Sequence, residues 1–405
     1  VPGPRILLAG GGTGGHLYPA LNLRTALERL DPSTECLFLG SERGIEAHVL
    51  PTAGVEYRLL PLQPIHRARP WRNWRLLWTA PSVASGVASA FRGFSPTLAV
   101  GTGGYVSGPA LAWALWKKVP TALQEQNARP GIVTRLLAPR VDQVHLGYPE
   151  AARHLRPGRH TRVLAFGNPV PPPEASPGEA PGHAWPEGRV LLVVGGSQGA
   201  RGINRALLGD LEREAGHGTA VASESGPRAR RGPGGASSAA SPPAPDGSRA
   251  WPDDLWLVWV AGREHVDEVS RRAERLPWAA RIRVVPYIED LGRQLDRVTL
   301  AISRAGAMLV AELCAAGCPS VLVPLPTAAA GHQLANARAL EEAGAAVVRE
   351  ESDLGPGDLW TACRELLDAP ARLSDMARAA RDRGEPDAAL HIAQELLRLA
   401  RRVGS

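Results

Sequence analysis

Arg5-Ile6-Leu7-Leu8-Ala9 runs straight into Gly10-Gly11-Gly12-Thr13-Gly14-Gly15-His16, and Val190-Leu191-Leu192-Val193-Val194 runs into Gly195-Gly196-Ser197-Gln198-Gly199-Ala200-Arg201. Each is an apolar run of strand length, a glycine-rich turn and the start of a helix-period stretch. A strand that breaks into glycines ahead of a helix lets backbone amides approach an anion, and the helix start adds about half a positive charge. One such loop is a weak signal. A pair at matching places in the two halves predicts an α/β chain of two Rossmann-like domains facing each other across a ligand-holding cleft.

Outward from these loops the same alternation continues. Strand-length apolar runs fall near 5–9, 35–39, 55–60, 97–101, 119–124, 141–146 and 162–166, then near 189–194, 255–260, 281–286, 298–303, 319–324 and 345–348, with helix-period stretches between most of them. That reads as βαβ units and parallel sheets covered on both faces. The expected division is a first domain over 1–168, a proline-rich linker over 169–187, a second domain over 188–386, and a C-terminal helix over 387–405 that packs across the junction. Residues 217–250, rich in Ala, Gly, Ser and Pro, are too weakly apolar to offset the entropy of ordering and read as a disordered surface insertion.

The 405 residues exceed what one hydrophobic core usually supports, and the formal net charge is +6. The excess is concentrated: no Asp or Glu occurs from Tyr57 through Gln124, a span that holds Arg67, Arg69, Arg72 and Arg75 among Trp71, Trp74 and Trp78. Cys36, Cys314, Cys318 and Cys363 form no metal-ligand spacing and read as small buried hydrophobes in a reducing compartment. The chain opens on a strand rather than a secretory signal, and no apolar run of about 18 residues appears, so a cytoplasmic protein with peripheral membrane contact is expected.

Residues Gly10 to Gly15 match the dinucleotide pattern G-x-G-x-x-G, but the second strand ends in Gly40-Ser41 where that fingerprint wants an acid to hold a ribose. No nicotinamide or flavin cofactor is therefore expected. His16, at a helix start beside the loop, is placed to act as a general base near neutral pH. A third glycine turn, Gly101-Thr102-Gly103-Gly104, and the polar run Gln124-Glu125-Gln126-Asn127 add groups at strand ends. Tight turns explain any one of these loops; several at one sheet edge suit the place where open α/β sheets bind ligands. In the second half, Ser303-Arg304-Ala305-Gly306-Ala307 opens a helix that carries Glu312, amides suited to a diphosphate with a carboxylate suited to ribose hydroxyls. His332, Gln333 and Asn336 begin a later helix where they can read sugar hydroxyls. No pair of carboxylates has the spacing of a divalent-metal diphosphate site, so no metal is expected.

Taken together, Gly11 to His16, Gly103-Gly104-Tyr105-Val106-Ser107-Gly108-Pro109, Glu125-Gln126-Asn127, Gly167-Asn168-Pro169-Val170, Gly195 to Arg201, Ser303 to Ala307 with Glu312, and His332-Gln333 with Asn336-Ala337 resemble the MurG family. Those bacterial transferases move N-acetylglucosamine from a UDP donor to lipid I, giving lipid II for peptidoglycan. The resemblance implies a GT-B fold, an inverting reaction without metal or other cofactor, and a donor held mainly by the second domain. It places Ser197 and the amides of Ala307, Met308, Leu309, Val310 and Ala311 on the diphosphate, the Ile288 backbone on the uracil and Glu312 on the ribose. Gln333 then contacts the donor sugar, Thr13, Gly14, Gly15 and Asn127 close over it, and His16 is the base for the acceptor hydroxyl. The chain departs from the family pattern at Pro171, Gln124, Gly331 and Val260-Ala261-Gly262. A related enzyme for another lipid acceptor, or a weakened sugar-nucleotide binder, stays open.

Tryptophans at positions 71, 74 and 78 share one face of a helix. A core-facing stripe beside a solvated basic face is one reading, and nucleic acid is another possible target of the arginines. The lipid-borne acceptor of the resembled family favours anionic inner-leaflet lipids with indole rings at the interface, on the cytoplasmic face of the membrane.

Overall fold

The computed structural model describes residues 3–63, 71, 74–171, 185–195, 201–224, 251–328 and 331–402. Seven strands, β1 (Arg5–Ala9), β2 (Glu35–Ser41), β3 (Glu56–Leu60), β4 (Leu98–Gly101), β5 (Thr121–Glu125), β6 (Gln143–Leu146) and β7 (Arg162–Ala165), form one sheet in the order β3-β2-β1-β4-β5-β6-β7. Six more, β8 (Arg189–Val194), β9 (Leu255–Val260), β10 (Ile282–Val285), β11 (Leu300–Ser303), β12 (Ser320–Leu322) and β13 (Ala346–Val348), form a second in the order β10-β9-β8-β11-β12-β13. Every pairing is parallel. Parallel strands are covered by helices on both faces, so their sequences are continuous apolar runs, as in Leu7-Leu8-Ala9 and Leu191-Leu192-Val193.

Strand order reverses between β1 and β4 in the first sheet and between β8 and β11 in the second. A crevice opens at such a point outside the carboxyl ends of the strands. The glycine turns after β1, β4 and β11 therefore lie beside one of the two crevices.

Beyond β13 the chain stays with the second domain through the helices Asp358–Leu367 and Pro370–Arg383, which bury Leu359, Leu366 and Met376 in its core. It then returns. The helix Ala388–Arg401 buries Ile392, Ala393 and Leu396 against Ile6, Leu8, Leu17 and Leu23 of the first domain. Ion pairs of Arg383 with Glu150 (2.6 Å) and Arg162 with Glu395 (2.7 Å) fasten the crossing.

Positions 217–224 of the segment expected as an insertion are helical. The helix Arg201–Glu224 runs through position 217 and on to Glu224, because the periodic apolar face of Ile203, Leu207 and Leu211 has already nucleated it. Residues 225–250 and most of the expected linker, 172–184, lie outside the described residues.

Candidate active site

The helix Gly14–Leu30 starts from Thr13, whose backbone is extended and whose hydroxyl caps no amide. That hydroxyl lies 3.1 Å from His16 Nδ1, and the same nitrogen is 3.2 Å from the Gly11 carbonyl oxygen. A carbonyl only accepts, so the hydrogen-bond network assigns the proton to Nδ1 and the lone pair to Nε2, the tautomer a general base needs. Burial lowers the His16 pKa below its ordinary 6.5. Glu125, the Gly11 carbonyl and Glu46 act in the opposite sense, while His332 adds to the lowering. The ring is neutral at pH 7.

The turn after β4 comes up against this ring. Gly103 and Gly104 have φ of +101° and +74°, and a Cβ on Gly104 would stand 2.2 Å from the Gly11 carbonyl oxygen. Only glycine fits so close a backbone approach in that conformation. Buried Ser107 accepts the Gly103 N–H (3.0 Å) and lies 2.7 Å from the Ala9 and Gly103 carbonyls, one of which takes its proton. Glu125, at the end of β5, accepts from Thr134 Oγ1 (2.6 Å), Gly131 N–H (2.9 Å) and Asn127 N–H (3.1 Å). It is therefore the organiser of its own loop.

Across the cleft, the helix Ala307–Ala316 begins after Gly306 with no side-chain cap. Val310 donates its N–H to the Gly306 carbonyl at 2.9 Å. The amides of Ala307, Met308 and Leu309 precede the helix's own ladder and have no intrahelical acceptor. Below them buried Arg304 donates to the Val323 carbonyl (3.1 Å) and pairs with Glu351 (2.6 Å), fixing the turn. Glu312 lies against Gly292 and has no hydrogen-bond or ion-pair partner among the described residues. Burial pushes its carboxyl up to about 7. The Ile288 side chain is buried with Val285 and Leu295, which holds its backbone in place just after β10. Gln333 accepts the Leu325 N–H through Oε1 (2.9 Å), so its amide nitrogen is held facing away from that bond.

Several expected roles change. The Val310 amide is taken by Gly306, and Ala311 follows one residue further into the ladder; their side chains line a small cavity at the domain junction with Tyr148 and Asn168. The amides left outside the helix's own ladder are therefore those of Ala307, Met308 and Leu309. Asn336 does not face a sugar site: it is fully buried, accepts the Ala128 N–H (2.9 Å) and donates to Asn127 Oδ1 (3.2 Å) and the Ala305 carbonyl (3.2 Å). It clamps the two domains together, with His332 Nδ1 2.7 Å from the Arg129 carbonyl oxygen. Asn127, also bonded to Glu125 Oε1 (3.2 Å), keeps one lone pair and one N–H for a ligand. In the first glycine loop the Gly12 N–H is already taken, meeting the Glu46 carboxylate at 2.9 Å. Glu46 carried no motif and was missed by sequence reasoning. Ser197 lies outside the described residues, as do Arg67, Arg69 and Arg72. Among the described residues, no three His, Cys, Asp or Glu side chains converge on a metal-sized site.

Two parallel-sheet domains, the first carrying a histidine with a bare ring nitrogen and the second an uncapped helix start and a carboxylate without a partner among the described residues, define a GT-B glycosyltransferase fold. Residues 6–146 match the glycosyltransferase family 28 N-terminal domain, and residues 190–392 match the family 28 C-terminal domain. The UDP-N-acetylglucosamine--N-acetylmuramyl-(pentapeptide) pyrophosphoryl-undecaprenol N-acetylglucosamine transferase of Salinibacter ruber is 36% identical, over 98% of this chain and 98% of its own length. The same-named protein of Moorella thermoacetica is 37% identical over 97% and 98%. The crystal structure of Acinetobacter baumannii MurG superposes with a TM-score of 0.69 over 98% of this chain and 99% of that one, at 24% identity. The chain belongs to this family of N-acetylglucosamine transferases within glycosyltransferase family 28.

Proposed function

We propose that this protein transfers N-acetylglucosamine from UDP-N-acetylglucosamine to lipid I, undecaprenyl-pyrophosphoryl-N-acetylmuramyl-pentapeptide, with inversion at the anomeric carbon, to give lipid II for peptidoglycan synthesis. The observation that carries the reading is that the helix Gly14–Leu30, which carries His16 with Nε2 as its basic nitrogen, meets the helix Ala307–Ala316, whose first amides are uncapped and whose Glu312 has no partner among the described residues. The acceptor hydroxyl gives its proton to His16 Nε2 as its oxygen attacks the anomeric carbon. The bond from that carbon to the diphosphate breaks on the opposite face, and UDP leaves with its charge met by the helix-start amides. Glu312 accepts the ribose hydroxyls, the Ile288 backbone meets the uracil, and Gln333 donates to the sugar. Thr13, Gly14, Gly15 and Asn127 close from the first domain, and Ser197 joins the diphosphate set.

Incubation of the protein with UDP-N-acetylglucosamine and a lipid I analogue, with no added metal, tests this. Lipid II analogue and UDP are expected in equal amounts. No turnover, or strict dependence on a divalent cation, would sink the mechanism.

Membrane attachment is part of the same proposal. Trp71, Trp74 and Trp78 are 70%, 56% and 77% exposed, which removes the core-facing reading of that stripe. Arg75 follows Trp74 on the helix Trp74–Phe94. No helix of the described residues is long and apolar enough to cross a membrane. We read this edge as a peripheral contact with anionic lipids of the inner leaflet, on the cytoplasmic side where the nucleotide sugar is available, and not as a nucleic-acid surface.

A further inference from the structure

The Gly11–Gly12 peptide is gripped from both sides. Its N–H meets Glu46, with Gly12 N 2.9 Å from Oε2 and 3.1 Å from Oε1. Its C=O meets His16, with the Gly11 oxygen 3.2 Å from Nδ1. In a trans peptide these two groups point in opposite directions, so fixing one fixes the other.

Glu46 is fully buried on the short helix Glu46–Val49, and among the described residues it pairs with no cation. Its second backbone donor is the Ser41 N–H at 2.8 Å. Three glycines, Gly11 in the first loop, Gly40 near the end of β2 and Gly44 just beyond it, make room for it: a Cβ on them would lie 2.2, 2.6 or 2.2 Å from its side-chain atoms. A buried carboxylate without a counter-ion is costly to keep unless its hydrogen bonds do something a neutral side chain would not. Here the carboxylate ties the end of β2, through Ser41, to the Gly12 N–H of the loop that carries the proposed base.

We infer that Glu46 is a positioning residue for His16: its carboxylate turns and polarises the Gly11–Gly12 peptide so that the Gly11 carbonyl takes the Nδ1 proton and Nε2 keeps the lone pair. The effect is that of a carboxylate orienting a histidine, passed through one peptide unit instead of a direct contact. The inference rests on the reading of His16 as the base. The charged and titratable groups that face the imidazole are Glu125 at the end of β5, His332 at the start of the helix His332–Glu342, and Glu46 itself.

Glu46→Gln tests it, because the amide keeps the size but removes the charge and puts an NH2 donor where Oε2 accepted the Gly12 N–H. In wild type, 15N resonances of His16 are expected to show Nδ1 protonated and Nε2 bare. In E46Q they should move toward a mixture of tautomers. Turnover should fall by roughly tenfold or more, a part of the 10²–10⁴ a general base contributes, with the KM for UDP-N-acetylglucosamine unchanged. The acid limb of the pH–rate profile should move to lower pH, since a negative charge facing His16 is removed. In a His16→Ala background the same substitution should change turnover less than about twofold, since residues that act as one unit do not add.

UDP titration reports whether each variant is folded, and Glu46→Asp, which keeps the charge but withdraws it by one methylene, is read the same way should E46Q not fold. It is expected to shift the tautomers while leaving the acid limb nearer wild type. Wild-type tautomer signals in both variants, or an equal loss of turnover with and without His16, overturns the inference. Wild-type turnover in H16A would instead remove the base reading alone, and the tautomer signals still decide what Glu46 does to the ring.

Discussion

Burial acts on His16 and Glu312 in opposite directions because it disfavours whichever form is charged: the imidazole is lowered and the carboxyl is raised to about 7. In the proposed mechanism the first keeps the base neutral at neutral pH, and the second is expected to make nucleotide binding pH-sensitive. With a folded pKa near 7 against an ordinary 4.5, Glu312 contributes to the stability of the ligand-free protein below pH 4.5, and that contribution is lost as pH rises through 7. Ribose hydroxyls need the ionised form as acceptor, so UDP affinity should rise between pH 6 and 8 in wild type and stay flat in Glu312→Gln. Calorimetric titration across that range checks this, and a pH-independent wild type would remove Glu312 from the ribose. His16→Ala should lower turnover by about 10²–10⁴-fold and leave UDP affinity unchanged, measured by steady-state kinetics beside binding. Both residues were legible in the sequence, since each lies in or just beyond a glycine turn that opens a helix. Glu46 was not legible: it lies 34 residues from Gly12, and only the folded β1 and β2 ends bring its carboxylate to that amide. Asn336 was misread for the same reason, a polar side chain at a helix start being as suited to a backbone across a junction as to a sugar.

Among elements, the strands were read almost residue for residue because a parallel strand buried on both faces has few ways to look. Only ends moved. β2 runs on through Gly40-Ser41, where Ser41 donates its N–H to Glu46 and its hydroxyl to the Leu62 carbonyl (3.1 Å), contacts that apolar patterning does not register. The helix Ala388–Arg401 was visible from its leucine and alanine spacing, yet the period of a helix says nothing about which sheet it covers. Its partner is set by Ile6, Leu8 and Leu17, fully buried beneath Ile392 and Leu396. Leu396→Ala should accordingly cost about 2–5 kcal/mol. Hydrogen exchange locates the cost: amides of β1 and of the helix Gly14–Leu30 should lose protection while those of β8 and β9 keep it. Loss confined to the second sheet would contradict the packing. Gly104→Ala, forced to hold φ at +74° with its Cβ 2.2 Å from the Gly11 oxygen, should lower stability by about 1–2 kcal/mol from the backbone conformation alone. The added clash makes chemical denaturation a sensitive readout.

At the scale of the whole molecule, the sequence showed two domains but not how they are held. The clamp of Asn336 on Ala128, the bond from Asn22 to the Pro169 carbonyl (2.7 Å) and the return of the last helix set the two sheet edges against each other. That arrangement leaves the tryptophan edge of the first domain outside the junction, where it can meet a surface while the cleft stays open to the nucleotide sugar. A basic residue near an anionic bilayer contributes about 1 kcal/mol, so four arginines supply roughly 4 kcal/mol, and indole rings at the headgroup level add an apolar share that salt does not screen. Two variants separate these shares. Replacing Arg67, Arg69, Arg72 and Arg75 together by glutamine should abolish most sedimentation with phosphatidylglycerol vesicles at low salt. Replacing Trp71, Trp74 and Trp78 by alanine should weaken the binding that persists at high salt, and the exposure of these rings means the fold does not need them. Turnover of a soluble short-chain acceptor should survive in both. If both variants sediment like wild type at every salt concentration, lipids bind elsewhere and the exposed indoles have another partner.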